Sequence, residues 1–279
     1  MARTRKLFAP LTRRGPHRIL RGDLAFAGIP GVVYTPATGY HLPGVAFGHD
    51  WLTAVDHYSG TLAHLASWGI VAAAPDSQLG LAPSVLDLSY DLGGTLDVIS
   101  GVRLGPGRIS VHPAKLGLAG HGFGAAAAVF AAAANPARAK AVGAVFPAVT
   151  KPSAEDAAAT LTMPGLVLAT PDDAKSLRTD ALEVAKNWEG AQLRVVDKAE
   201  TGAVAEKRRL LSLVGLSGSS SHTQKTVRAL LTGFLLFHLA GDKAYREFAD
   251  IDAKLPGTRQ PNPDAPAVTD EERIVALFR

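Results

Sequence analysis

The side chains able to do chemistry fall in five short segments. His49-Asp50-Trp51 closes an apolar run, and Gly120-His121-Gly122-Phe123-Gly124 joins an apolar run to an alanine-rich one. Asp172-Asp173 and Lys198-Ala199-Glu200-Thr201-Gly202 each follow an apolar run, and Ser219-Ser220-Ser221-His222 precedes the last long one. Hydroxyl, imidazole and carboxylate groups together suit nucleophilic catalysis: the imidazole takes the hydroxyl proton and the carboxylate orients the imidazole. Cysteine is absent, which excludes a thiolate nucleophile, a thiolate metal site and any disulfide. A metal needs convergent His and carboxylate ligands. His49, Asp50, Asp56 and His57 are near one another in sequence, but their spacing specifies no metal and none is expected. The glycines at 120–124 lack the Gly-Lys-Ser/Thr ending of a phosphate loop and miss the dinucleotide fingerprint, so no cofactor is expected.

Short apolar runs alternate with longer helical stretches. Strands are predicted over 31–34, 44–48, 70–74, 115–119, 141–146, 165–169 and 192–196. Helices are predicted over 58–68, 85–102, 124–134, 177–187 and 223–239. Strands apolar throughout, separated by helices, predict an α/β fold with a mostly parallel, doubly wound sheet covered on both faces. Its ligand edge is then the one where the strands end, which is where four of the five segments lie.

The run from Lys115 to Gly124, followed by alanines, resembles the Gly-x-Ser-x-Gly turn of α/β hydrolases, a sharp strand-to-helix bend with small flanking residues. Val45 to Trp51 (VAFGHDW), Tyr58 with Leu65-Ala66-Ser67-Trp68-Gly69, and Ile70 to Asp76 (IVAAAPD) are similar to the dienelactone-hydrolase and cutinase-like branch. So is Gly241-Asp242 with Tyr245 and Phe248. The resemblance covers about 25–250 and implies an α/β-hydrolase fold.

It also implies a triad in the order serine, acid, histidine. The serine maps to Gly122, which has no side chain. The acid maps to Asp172 or Asp173. The histidine maps near Glu200 and Thr201, where no imidazole stands. His222, with one of Ser219 to Ser221, is a speculative substitute; His121 could also be a base or face a ligand, though the resemblance favours a structural histidine there. A carboxylate at Asp50, if turned inward, would oppose a developing negative charge. The old pocket is bounded by Asp50, Trp51, His121 and Phe123. The expected function is a non-catalytic ligand-binding or scaffold protein; the alternative is an esterase or dienelactone-hydrolase-like enzyme with displaced groups. Any gain of reactivity in Gly122→Ser would show that the oxyanion donors survive.

The 279 residues are 47% hydrophobic and 19% charged, which suits one substantial core. Four segments are expected: a basic arm (1–24), the α/β domain (25–254), a proline-rich linker (255–268) and a short helix (269–279) opened by the capping pattern Thr269-Asp-Glu-Glu272. The net charge is +4, and Arg3, Arg5, Lys6, Arg13, Arg14, Arg18 and Arg21 all precede the first acid, Asp23. Such an arm is expected to be a solvated tail. It could also meet an anionic membrane or a protein partner, as could the terminal helix, and the pocket a small or lipid-like ligand. Nucleic acid is not expected, since no nucleic-acid fold signature accompanies the arm. No signal or membrane-spanning segment is read, so a cytoplasmic location, with peripheral membrane contact, is expected.

Overall fold

The computed structural model of the chain describes residues 2–206 and 220–261. Its strands are β1 (Ile19–Asp23), β2 (Gly31–Pro36), β3 (Gly39–Gly48), β4 (Val71–Pro75), β5 (Ile109–His121), β6 (Val142–Val145), β7 (Gly165–Ala169), β8 (Ala191–Val196) and β9 (Thr258–Arg259). Its α-helices are α1 (Ala2–Leu11), α2 (Ser59–Ser67), α3 (Val85–Gly101), α4 (Phe123–Ala134), α5 (Ala154–Ala158), α6 (Ala181–Asn187) and α7 (Ser221–Leu235). The described strands form one nine-stranded sheet in the order β1-β2-β4-β3-β5-β6-β7-β8-β9. β3 to β8 run parallel, while β1, β2 and β9 pair antiparallel towards the two margins. This is an α/β fold whose mostly parallel sheet is flanked by helices.

Alternation along each strand divides the core. Val45, Phe47, Ala72, Ala74, Leu166 and Leu168 face the side covered by α1, α2 and α7. Ala46, Val71, Ala73, Val142, Ala144 and Val167 face α3 to α6. Both faces are dry because crossover helices must lie on both sides of a parallel sheet. The parallel strands therefore all end at one edge, which carries the loops after Gly48, His121, Ala169 and Val196.

The margins differ from the sequence reading. The tail expected to be solvated over 1–24 is part of the body. Phe8 and Leu11, on one face of α1, are 7% and 0% exposed against α7, and Phe8 stacks on Phe248 at 6.3 Å. Burying two such side chains gains roughly 2 kcal/mol each, while Arg5, Lys6, Arg13 and Arg14 stay exposed. β1 then hydrogen-bonds along β2 from Ile19–Pro36 to Asp23–Val32. At the other margin, the first residues of the expected linker close on the sheet as β9. Buried Arg194 holds them from below, donating to Ala253 O (2.8 Å) and Asp250 O. The rest of that linker, the terminal helix at 269–279 and Ser219 lie outside the described residues. No described helix is long and apolar enough to cross a membrane.

Candidate functional site

β5 ends at His121 and α4 begins at Phe123, so Gly122 alone turns the chain. Its φ of 55° and ψ of −119° form a combination that other residues reach only under strain. Gly122 N donates to Val145 O (3.0 Å), and its carbonyl accepts from Ala125 N (3.1 Å) and Ala148 N (3.0 Å). A methyl group on Gly124 would overlap the backbone of Gly48 and His49. The end of β3 thus lies in backbone contact with the turn, which brings His49 to Trp51 over the start of α4. His49 is fully buried there. Its ring nitrogens lie 2.9 Å from Asp50 O and 2.7 Å from Ser77 O, tying this loop to the one after β4.

Asp50 turns inward. Its Oδ1 accepts hydrogen bonds from Trp51 N (2.8 Å) and Phe123 N (3.0 Å). One donor belongs to the first residue of α4 and the other to the loop after β3. Gly122 gives α4 no side-chain cap and the first turn has no acid, so Asp50 caps this helix from a distant segment. Hydrogen bonds from a helix N-terminus to a carboxylate are strong and hold the Asp50 side chain in place. A Cβ on Gly122 would fall within the Asp50 carboxylate itself.

A second chain of bonds supports Asp50 from beneath. Asp50 N donates to Tyr58 Oη (3.1 Å), and the Tyr58 hydroxyl lies 2.8 Å from His121 Nδ1. His121 Nε2 lies 2.7 Å from Thr201 O. A carbonyl can only accept, so the network assigns the proton to Nε2 and leaves Nδ1 to accept from Tyr58. His121 is fully buried, and both ring nitrogens are engaged. Its place in a ligand pocket, expected from sequence, is corrected: it braces the turn from behind.

The structure brings together Asp50, Trp51, His121, Gly122, Phe123 and Thr201, the last through its carbonyl. The other residues expected at the site have settings of their own. Asp172 is exposed. Asp173 is buried and accepts from Leu182 N (3.1 Å) near the start of α6. Glu200 is exposed. His222 sits exposed in the first turn of α7, whose N-cap is Ser220, accepting from Thr223 N (3.3 Å). Among the described residues neither His222 nor Ser221 hydrogen-bonds to the turn. A serine at position 122 would meet the Asp50 carboxylate, because a Cβ there overlaps Asp50 Oδ1. Sequence reasoning missed Tyr58 as a site residue; its signal was a tyrosine eight positions after Asp50.

Chemically, two N–H groups and a helix terminus converge on one point, and the chain's own carboxylate occupies it. Position 122 itself carries no hydroxyl, and among the described residues no group of three or more His, Asp or Glu is placed to hold a metal. No protein-family model matches the chain, and no curated protein sequence matches it.

Proposed function

We propose that the protein is a catalytically degenerate α/β-hydrolase-like protein that works by binding, as a ligand carrier or scaffold, and not by acyl transfer. Asp50 is the observation that carries this reading. In such a fold the oxyanion of a tetrahedral intermediate is held by the N–H of the residue after the nucleophile and by one from the loop after an earlier strand. Phe123 N and Trp51 N correspond to that pair, and the Asp50 carboxylate takes both. A substrate carbonyl would have to displace a bound anion and then develop charge beside it. Gly122 offers no nucleophile and His121 no free nitrogen.

Binding would then use the surface above the filled site. Trp51 and Leu52 are 49% and 50% exposed, and Leu81 is 81% exposed on the neighbouring loop. Leu52 has a φ of 51°, a strained value for a leucine that projects into water. An apolar rim of this kind suits a small or lipid-like ligand.

The reading is tested by p-nitrophenyl ester hydrolysis. The purified chain is expected to match buffer alone. Turnover that disappears on His222→Ala would overturn the reading in favour of an enzyme with displaced catalytic groups.

A further inference from the structure

The opposite edge of the sheet, where the parallel strands begin, has a different character. Residues 24–49 and 98–154 contain no Asp or Glu. Both stretches contribute to this edge. β3 and β5 overrun the parallel core at their starts as a two-stranded ribbon, with Gly39 opposite Ile109 and Leu42 opposite Val111. Exposed Arg103 and Arg108 flank the ribbon, and the Arg103 guanidinium lies 5.1 Å from the centroid of the Tyr40 ring.

The N-terminal segment continues the same surface. Ser67, at the end of α2, accepts from Gly15 N at its hydroxyl (2.8 Å) and from His17 N at its carbonyl (3.1 Å). Arg18 O accepts from Ala37 N (2.8 Å), and Leu20 approaches Gly105. Exposed Arg13 and Arg18 therefore lie on one face with Arg103 and Arg108, whereas Arg14 lies towards His64 and Arg228 on the side of α2 and α7. Among the described residues no carboxylate pairs with Arg13, Arg18, Arg103 or Arg108. Asp97, near the end of α3, is held by Arg138.

We propose that this edge is a docking surface for an anionic phospholipid bilayer. The arginines come from separate loops spread across an edge and do not line a groove. Leu20 and Val102 stand exposed among them, 37% and 39%, beside the amphipathic ring of Tyr40. Apolar and aromatic side chains mixed with cations suit the headgroup region, where each Lys or Arg adds attraction to acidic lipid. Arg103 already covers one face of the Tyr40 ring, which removes the stacking platform a nucleic-acid strand would use. The apolar side of α1 is spent in the core, so contact is electrostatic and shallow, without insertion of that helix. The surface extends the basic segment 1–21 to residues 80 positions further along the chain. It does not depend on how the Gly122 turn is read.

Co-sedimentation of the full chain with vesicles tests this. Binding is expected to phosphatidylcholine mixed with phosphatidylserine, not to phosphatidylcholine alone, and to be reversed by high salt. Arg103→Gln/Arg108→Gln is expected to weaken partition by about thirtyfold, at about fivefold per arginine. Circular dichroism melts establish that the variant is folded, and Arg13→Gln/Arg18→Gln provides an independent pair. Equal binding to neutral vesicles, or unchanged binding by both folded variants, overturns the proposal. So does arginine-dependent binding of a DNA or RNA oligonucleotide without binding to acidic vesicles.

Discussion

At the scale of single residues, the turn is defined by what Gly122 lacks and what Asp50 supplies. Gly122→Ala would suffer twice, from its backbone angles, at about 1–3 kcal/mol, and from overlap with the Asp50 carboxylate. Asp50→Gly removes the second cost and not the first. Thermal melts of the two single variants and the double variant should therefore show coupling of about 1–3 kcal/mol. Strict additivity would mean that the carboxylate is elsewhere. A second residue-scale expectation concerns Asp180. Burial, then the neighbouring charges of Asp173 and Glu155, push its carboxyl up from 3.8 to about 7. The folded state therefore holds a proton that the unfolded chain gives up. This favours folding below pH 3.8, and the gain is lost as pH rises through about 7. Asp180→Asn should change stability little at pH 4 and raise it at pH 8, on the order of 2–4 kcal/mol by denaturant melts. An equal effect at both pH values would refute the shift. Legibility at this scale was uneven. The glycine at the turn and the carboxylate after the apolar run could be read directly. The partners of His121 could not, because Tyr58 and Thr201 lie 63 and 80 positions away in the chain.

At the scale of elements, the site depends on how the segment after β8 is held. Glu206 accepts from Gly60 N (2.9 Å) and Thr61 N (3.1 Å) at the start of α2, and from Arg228 Nη2 (2.6 Å) on α7. Both side chains of this pair are largely buried, at 16% and 18% exposed. Glu206 N also donates to His57 O (2.7 Å), which fixes the run that carries Thr201 to His121. Glu206→Ala strands the Arg228 charge and uncaps α2, so a loss of about 3 kcal/mol is expected in urea unfolding. Glu206→Gln keeps its acceptor oxygen and should lose less. Equal losses would show that the charge contributes nothing. The strands of the parallel core were readable because both their faces are buried and most of their central positions are apolar, β8 with Gln192 and Arg194 being the exception. β1, with the sequence ILRGD and one buried face at most, carries no such pattern, and β9 has two residues. α1 read as a tail because its charge is local in sequence, whereas the partner for its apolar face, α7, lies more than 200 positions away.

At the scale of the whole molecule, the two edges of the sheet have separate characters. The edge where strands end holds a helix terminus already neutralised by an internal acid, under an apolar rim. The edge where they begin gathers arginines that no described carboxylate pairs, from segments without acids. Neither property follows from a net charge of only +4; each depends on where the topology sends particular loops. The claim that joins site to function is that Asp50 fills the place of a reacting oxyanion. Fluorophosphonate labelling tests it most directly, comparing the natural chain with Gly122→Ser, Asp50→Gly and the double variant. With no described imidazole placed to take it, the serine proton must pass to water as fluoride leaves, so covalent labelling is expected to be slow. It is expected only where a hydroxyl is present and the two N–H donors are free, hence only in the double variant. Labelling of the natural chain, or of Gly122→Ser at the rate of the double variant, would contradict the account.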